Sequence, residues 1–314
     1  VEILYGPAYQ AGIWDWLTKN KDEIDFAYMN RPPIAIKYVD FIKKNTNIKV
    51  IYYGHDLHFL REYREYELTG DIKKKRESDY WKSIEFSLME KAAVSYYPSY
   101  VEEEAIHAIH PEYKIRAITA YVYEKFLENI DKDFAKREGL LFVGGFAHPP
   151  NADAVLWFAK EIFPLIRQRI DVNFYVVGSK VTDEIKALEQ PGSGIIVKGF
   201  VTEEELASLY STSRIVVVPL RYGAGVKGKV VEAVYNGSAI VTTSIGSEGI
   251  PEAERVMKVA DGPEAFADEV VKMYQDPAEC RRMCEETQKY IREYFSVEAA
   301  WKVIEGDFTP EKKR

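Results

Sequence analysis

Three cations, three glycines and a glutamate fall within residues 221–232: Arg221, Lys227 and Lys229, Gly223, Gly225 and Gly228, and Glu232. A glycine turn that feeds a helix start leaves backbone N–H groups unpaired and presents the positive end of the helix dipole, which suits an anion. Gly223 and Gly225 let the main chain approach closely, and Lys227 and Lys229 add formal charge. At 3.6 residues per turn, Lys229, Glu232 and Asn236 share one stripe, while Val226, Val230, Ala233 and Val234 share the face that packs. Glu232 therefore lies about one turn behind the anion site. A carboxylate there is badly placed for phosphate and well placed to accept hydrogen bonds from ribose hydroxyls. A solvated Lys/Glu helix face would account for the charges but not for the glycines.

The flanking segments must position this loop. Residues 215–218, all β-formers, read as a buried parallel strand ended by Pro219. Residues 230–236 read as a helix stopped by Gly237, and 239–243 as the next strand. Strand, loop, helix and strand make a βαβ unit, and its loop lies at the carboxyl edge of the sheet, where open α/β sheets bind ligands.

The run from Val218 to Ala233, followed by Gly237 and by residues 242–250, resembles the donor-binding motif of retaining nucleotide-sugar glycosyltransferases of the family-4 type. That resemblance implies the GT-B fold: α/β, with two Rossmann-like domains facing across a cleft. It implies a donor site made by Gly144, Gly145, Phe146, Phe200, Val201, Arg221, Gly223, Ala224, Gly225, Lys227, Lys229, Glu232 and Glu248. Many members carry two glutamates in this motif. Glu232 matches the second, used on the ribose, but Ala224 stands at the first, which touches the donor sugar. Glu248 is a candidate to take over those hydroxyl contacts. Family members also place a basic residue just after the Gly144-Gly145 turn. Here Phe146, Ala147 and His148 follow, so the charge on the diphosphate is expected from Lys227, Lys229 or Arg221. The turn at Gly199-Phe200-Val201 is expected to read the base through its main chain; the alternative is a plain turn with Phe200 in the core. His55, ahead of His58, matches the histidine that similar enzymes place near donor sugar and acceptor, and with Lys229 it completes the catalytic assignment.

Length and composition fit that implication. A chain of 314 residues with 46% hydrophobic content supports two α/β domains. The expected division is an acceptor-side domain over 1–135, a nucleotide-sugar domain over 136–295, and a segment over 296–314 that crosses back to the first domain. The charged stretch 129–138 reads as the linker. The chain opens in an apolar stretch, so residues 1–5 read as a strand. Residues 6–12 read either as a degenerate glycine loop or, the favoured alternative, as a sign that the first βα unit is missing. Helices are expected over 13–19, 33–43, 72–91, 101–109, 152–159 with Asn151 as cap, 263–274, 277–294 and 297–304. Thr202 and Glu205 form a capping box that starts another. Strands are expected over 24–28, 48–53, 93–97, 113–117, 139–143 and 172–177, with polar loops at 55–62 and 244–249.

The net charge of −8 argues against nucleic acid as a partner. The basic run at 72–76 reads as a solvated helix face, with anionic lipid or a phosphate-bearing acceptor as the alternative. Cys280 and Cys284, one helical turn apart, suit neither a disulfide nor a metal site, and no His/Cys/carboxylate cluster has ligand spacing. No cofactor or metal is expected beyond the nucleoside-diphosphate sugar itself. The expected activity is transfer of a hexosyl group to a hydroxyl of a glycan or lipid-linked glycan, as in surface-polysaccharide synthesis, with anomeric retention. The expected location is cytoplasmic, with the inner face of the membrane as the alternative. A non-catalytic nucleotide-sugar-binding module and a nucleotide-sugar epimerase of the same fold are the rival readings.

Overall fold

A computed structural model describes residues 3–223 and 225–308. The chain divides between Ala120 and Tyr121: one unit runs up to Ala120 and resumes at Trp301, and the other spans Tyr121–Ala300. The charged 129–138 stretch lies inside the second unit, where Phe134 is fully buried.

The first unit alternates α1 (Pro7–Asn20), β1 (Phe26–Asn30), α2 (Pro32–Asn45), β2 (Lys49–Tyr53), α3 (His58–Thr69), α4 (Ile72–Lys91), β3 (Val94–Tyr97), α5 (Tyr100–His107) and β4 (Ile115–Ala117). Its strands pair in parallel in the order β1-β2-β3-β4. Val50 and Tyr52 face a core shared with Val39, Leu88 and Ile106. Residues 301–308 belong to this unit: Asp307 accepts from Tyr96 Oη and Lys114 Nζ, each at 2.6 Å, and lies 3.2 Å from Arg116.

The second unit contains β5 (Leu140–Val143), α6 (Pro149–Trp157), a π-helical stretch (Phe158–Ile162), α7 (Phe163–Arg167), β6 (Phe174–Val177), α8 (Asp183–Lys186), β7 (Ile195–Gly199) and α9 (Glu203–Thr212). It continues through β8 (Ile215–Val218), α10 (Gly228–Tyr235), β9 (Ala239–Thr242), α11 (Ser244–Ser247), β10 (Lys258–Val259), α12 (Pro263–Tyr274), α13 (Pro277–Tyr294) and α14 (Val297–Ile304), which carries the chain back to the first unit. The sheet is parallel with the order β10-β9-β8-β5-β6-β7. The order reverses between β5 and β8, and at such a point the loops leave in opposite directions and open a crevice.

Several sequence expectations need correction. Ile3 to Tyr5 form no strand; Ile3 and Tyr5 are exposed with no neighbouring strand, and Val1 and Glu2 lie outside the described residues. Residues 6–12 form no loop. Pro7 starts α1, its fixed φ suiting the first turn, and Gly12 is inside the helix. Helix α3 carries no clear apolar periodicity because its face is mostly charged; Gly70, at φ 72°, ends it. Asn151 is not a cap: α6 begins at Pro149 after His148. The helix also runs past Ala159 through the π-helical turn, because Pro164 has no N–H to give to Lys160 and would crowd its carbonyl. Ser244–Ser247 is a short helix capped by Thr243, whose Oγ1 accepts from Gly246 N–H at 3.2 Å. Phe200 is 82% exposed, so it is not in the core. The capping box at Thr202 and Glu205 is present. Both cysteines are free and buried.

Gly178 ends β6 at φ 154°, and a Cβ there would lie 1.9 Å from Gly144 O. Gly178→Ala is therefore expected to destabilise the chain by about 3 kcal/mol or more, since backbone must move. A melting temperature unchanged from that of the parent would show that the two turns can part freely.

Candidate functional site

The turn after β5 and the loop after β8 meet at the reversal of strand order. Gly144 N–H donates to Val177 O at 2.9 Å, and Phe146 N–H to Ser179 O at 2.9 Å, which ties the turn to the end of β6. The Phe146 ring is buried and stacks on Phe142, with centroids 6.2 Å apart, so only its main chain reaches the edge. Asn151, in the first turn of α6, donates from Nδ2 to Gly145 O at 2.7 Å and accepts at Oδ1 from Lys229 Nζ. A Cβ on Gly144 would come within 3.0 Å of Asn151 and 3.2 Å of Lys229 Cε, so the glycine makes room for both.

Lys229 is the second residue of α10. Its ammonium lies over the Phe142 ring, 5.5 Å from the centroid. Burial, and then the positive charge of Lys227, lower its pKa to about 8. The other two cations are neutralised by carboxylates. Arg221 makes a two-pronged pair with Asp153, its Nε donating to Oδ2 at 2.9 Å. Lys227 is buried, donating to Gly225 O at 2.6 Å and to Glu248 Oε2 at 3.0 Å. Glu248 is thus held by Lys227. Gly223 and Gly225 have φ of 146° and 74°; Ala224 lies outside the described residues.

One turn into α10, Glu232 is half-buried, and its carboxylate has no hydrogen-bond partner among the described residues. Burial holds its pKa above the usual carboxylate range. After burial, its charge contributes to pushing the Tyr123 phenol up to about 12. Beyond β7, the Gly199-Phe200-Val201 turn borders a cavity of about 380 Å³ lined by Lys198, Phe200, Val201, Glu205, Ser208 and Leu209.

Residues 137–276 match the profile of the glycosyl transferases group 1. That match lies wholly within the second unit. A curated relative, an uncharacterized 44.6 kDa protein in the cps region of Klebsiella pneumoniae, is 32% identical over 116 residues, 35% of this chain. The match spans only 30% of that relative's length. Sucrose-phosphate synthase from Thermosynechococcus elongatus superposes with a TM-score of 0.73 at 16% identity, over 98% of this chain and 80% of its own. HepE of Anabaena, in complex with UDP, gives 0.68 at 12% identity, over 96% and 84%. The pneumococcal O-GlcNAc transferase GtfA, in complex with UDP and GlcNAc, gives 0.65 at 15% identity, over 97% and 60%. The fold is GT-B.

In the first unit, the two candidate histidines differ. Glu85, fully buried on α4, accepts from His58 N at 2.9 Å, Phe59 N at 3.2 Å and His58 Nδ1 at 3.1 Å, which caps α3. His58 also lies 3.3 Å from Asp56. Burial works against the imidazolium, but Glu85 and Asp56 prevail, and the His58 pKa is raised. His58 is therefore committed to holding the loop. Among the described residues His55 pairs only through Nε2, with Asn30 Oδ1. Burial, then Arg31, lower its pKa.

Residues of these clusters that the sequence does not single out include Asn151 beyond a capping role, Asp153, Glu85 and Asn30. The proline pair before Asn151 was a usable sign that the helix begins earlier, whereas nothing in the sequence marks Asp153 or Asn30. Among the described residues no group of three His, Cys, Asp or Glu side chains could hold a metal, and no helix is long and apolar enough to cross a membrane.

Lys229 is expected to lose its proton near pH 8, ahead of the ordinary lysines, as read by 13C NMR of the lysine Cε atoms. The sign for folding follows: a lowered lysine pKa costs stability below about 8, and the cost fades as pH rises toward the unfolded value. Titration of Lys229 with the bulk lysines would show that the ammonium is solvated.

Proposed function

We propose that the second unit binds a nucleoside-diphosphate sugar and that the protein transfers the glycosyl group to a hydroxyl of a glycan acceptor, with retention. The observation that carries this reading is the arrangement at the reversal point. The start of α10 and the desolvated Lys229 face the Gly144 turn, and Glu232 waits one turn on without a hydrogen-bond partner for its carboxylate among the described residues. A diphosphate at Lys229 leaves Glu232 for the ribose hydroxyls and the cavity beside Phe200 for the base. The match of residues 137–276 to the group 1 glycosyl transferase profile supports glycosyl transfer as the chemistry. The relative from a cps region supports a polysaccharide as the product class, and the UDP complexes make UDP sugars the first donors to test.

In the proposed reaction the bond from the anomeric carbon to the diphosphate oxygen breaks. A bond to the acceptor oxygen forms on the same face, and the acceptor proton passes to the departing diphosphate. Lys229 and the first N–H groups of α10 take up the developing charge, with no metal in the scheme. His55 is assigned to the acceptor hydroxyl. Hexosyl specificity, a lipid-linked acceptor and work at the inner face of a membrane extend the same proposal. Binding without transfer is the second reading, favoured by the mutual neutralisation of Lys227 and Glu248 and by Ala224.

Incubation with UDP, GDP and dTDP sugars separates the two. Nucleoside diphosphate released only when a glycan acceptor is present supports transfer; saturable binding with no turnover supports the binding module. Removing one donor to a developing oxyanion typically costs about 3–4 kcal/mol, so Lys229→Ala is expected to lower turnover by roughly two orders of magnitude. Near-normal turnover in that variant would count against the whole assignment. Glu232→Ala is expected to weaken UDP binding roughly tenfold by calorimetry, and an unchanged affinity would remove Glu232 from the ribose.

A further inference from the structure

The carboxyl edge of the first sheet holds a second polar group. Strands β1 and β2 lie side by side with Asn30 opposite Tyr53. Just past their ends, Arg31 and His55 both adopt φ 65°. A left-handed backbone costs an L-residue roughly 1–2 kcal/mol, and strain of this kind gathers at functional sites. The sheet enforces both bends: Arg31 N–H donates to Tyr53 O at 3.1 Å, and Gly54 N–H to Tyr96 O at 3.0 Å.

The side chains are set by their neighbours. Asn30 Oδ1 can only accept, so the proton of His55 sits on Nε2 and the Nδ1 lone pair is left without a partner among the described residues. The ring edge rests on Tyr53, with centroids 4.7 Å apart. Of the charges around it, Asp56 is engaged by Arg61 and His58, and His58 by Glu85. Arg31 is exposed and has no partner among the described residues, yet it is near enough to act on the imidazole. A neutral imidazole with a free lone pair accepts a hydrogen bond from a hydroxyl, and a free guanidinium is a fork for carboxylate or phosphate.

We propose that this edge binds a glycan acceptor carrying a carboxylate or phosphate beside its reacting hydroxyl. Arg31 takes the anion, His55 Nδ1 accepts from the hydroxyl, and Asn30 holds the ring. That the bound glycan is an acceptor rests on the transferase reading; the anion subsite does not. A bound anion offsets the charge of Arg31, so His55 becomes more basic as the acceptor arrives.

The test uses the full chain with labelled histidines, following His55 by NMR against pH with three probes: methyl glucuronide, glucose 6-phosphate and methyl glucoside. The two anions are expected to raise the His55 midpoint by about one unit, while the neutral glucoside leaves it in place. A rise with one anion alone supports the proposal and identifies the group. Arg31→Gln is expected to raise the midpoint without ligand and to abolish the anion response. Asn30→Leu is expected to shift the ring nitrogens toward a mixture of tautomers. No rise with either anion at tens of millimolar, or an equal rise in Arg31→Gln, would overturn it. Anion-linked shifts without release of nucleoside diphosphate from any donor would keep the subsite and sink the transferase reading. Transfer to neutral glycans without such shifts would do the reverse.

Discussion

An ammonium squeezed out of water is the constraint around which the second unit is arranged. Lys229 sits where β5 and β8 diverge, pressed between the Phe142 ring, Asn151 and the glycine turn at 144. A Cβ at 144 would press on the lysine stem and the Asn151 amide, which would have to shift by a few tenths of an ångström to admit it. The same crowding desolvates the charge. A partly dry ammonium interacts strongly with any anion that displaces the remaining water, because local screening is weak. Desolvating the charge lowers stability at this point.

The first unit fixes its candidate residue by a different device. His55 is not buried by a core; it is held because the chain on both sides is pinned. Before it, Tyr53 and Gly54 are bonded into the sheet. After it, the start of α3 is capped by Glu85, a carboxylate with no access to solvent. The three hydrogen bonds from Phe59 and His58 compensate for desolvating Glu85. Leu57, fully buried between the two anchors, leaves the loop little room to move. The two histidines, three residues apart, thus divide the work: one is structural, with its pKa raised by the carboxylates around it, and the other, with its pKa lowered, has a nitrogen to spare.

Sequence periodicity revealed most of this architecture wherever an apolar pattern governs packing. Helices α4, α12, α13 and α14 begin and end where apolar spacing, prolines and the break at Phe295-Ser296 place them. The loop-to-helix motif at 215–237 was legible because strands rich in valine and glycine punctuation carry local signals. Helix α3 was not, since its arginines and glutamates pair with one another and with α4 instead of marking an apolar face. The left-handed backbone at Arg31 and His55 was invisible for a related reason: neither residue type prefers it, and the sheet imposes it. Within the site, residue types were readable and their partners were not. Arg221 and Lys227 count as charge in the sequence, but Asp153 and Glu248 reach them from positions 68 and 21 residues away.

That pairing alters the electrostatics of the loop more than the composition implies. Of the three cations between 221 and 229, only Lys229 lacks a carboxylate partner among the described residues. An anion arriving there meets one ammonium and the dipole of a short helix, not a basic cluster. The ion pair of Lys227 and Glu248 is almost dry, so breaking it to free the lysine would strand a buried carboxylate, typically a cost of about 3–5 kcal/mol. The pair therefore acts as a fixed dipole, and its role is to hold the loop. Lys227 draws in the carbonyl of Gly225, and Glu248 sits at the end of α11, which Thr243 caps. Thr243 in turn donates to Leu220 O, closing the loop onto β9. The glycine-rich segment is thus braced from the β9 side by a hydroxyl and an ion pair. This leaves Lys229 the one side chain of the three whose charge a ligand can claim without dismantling the scaffold.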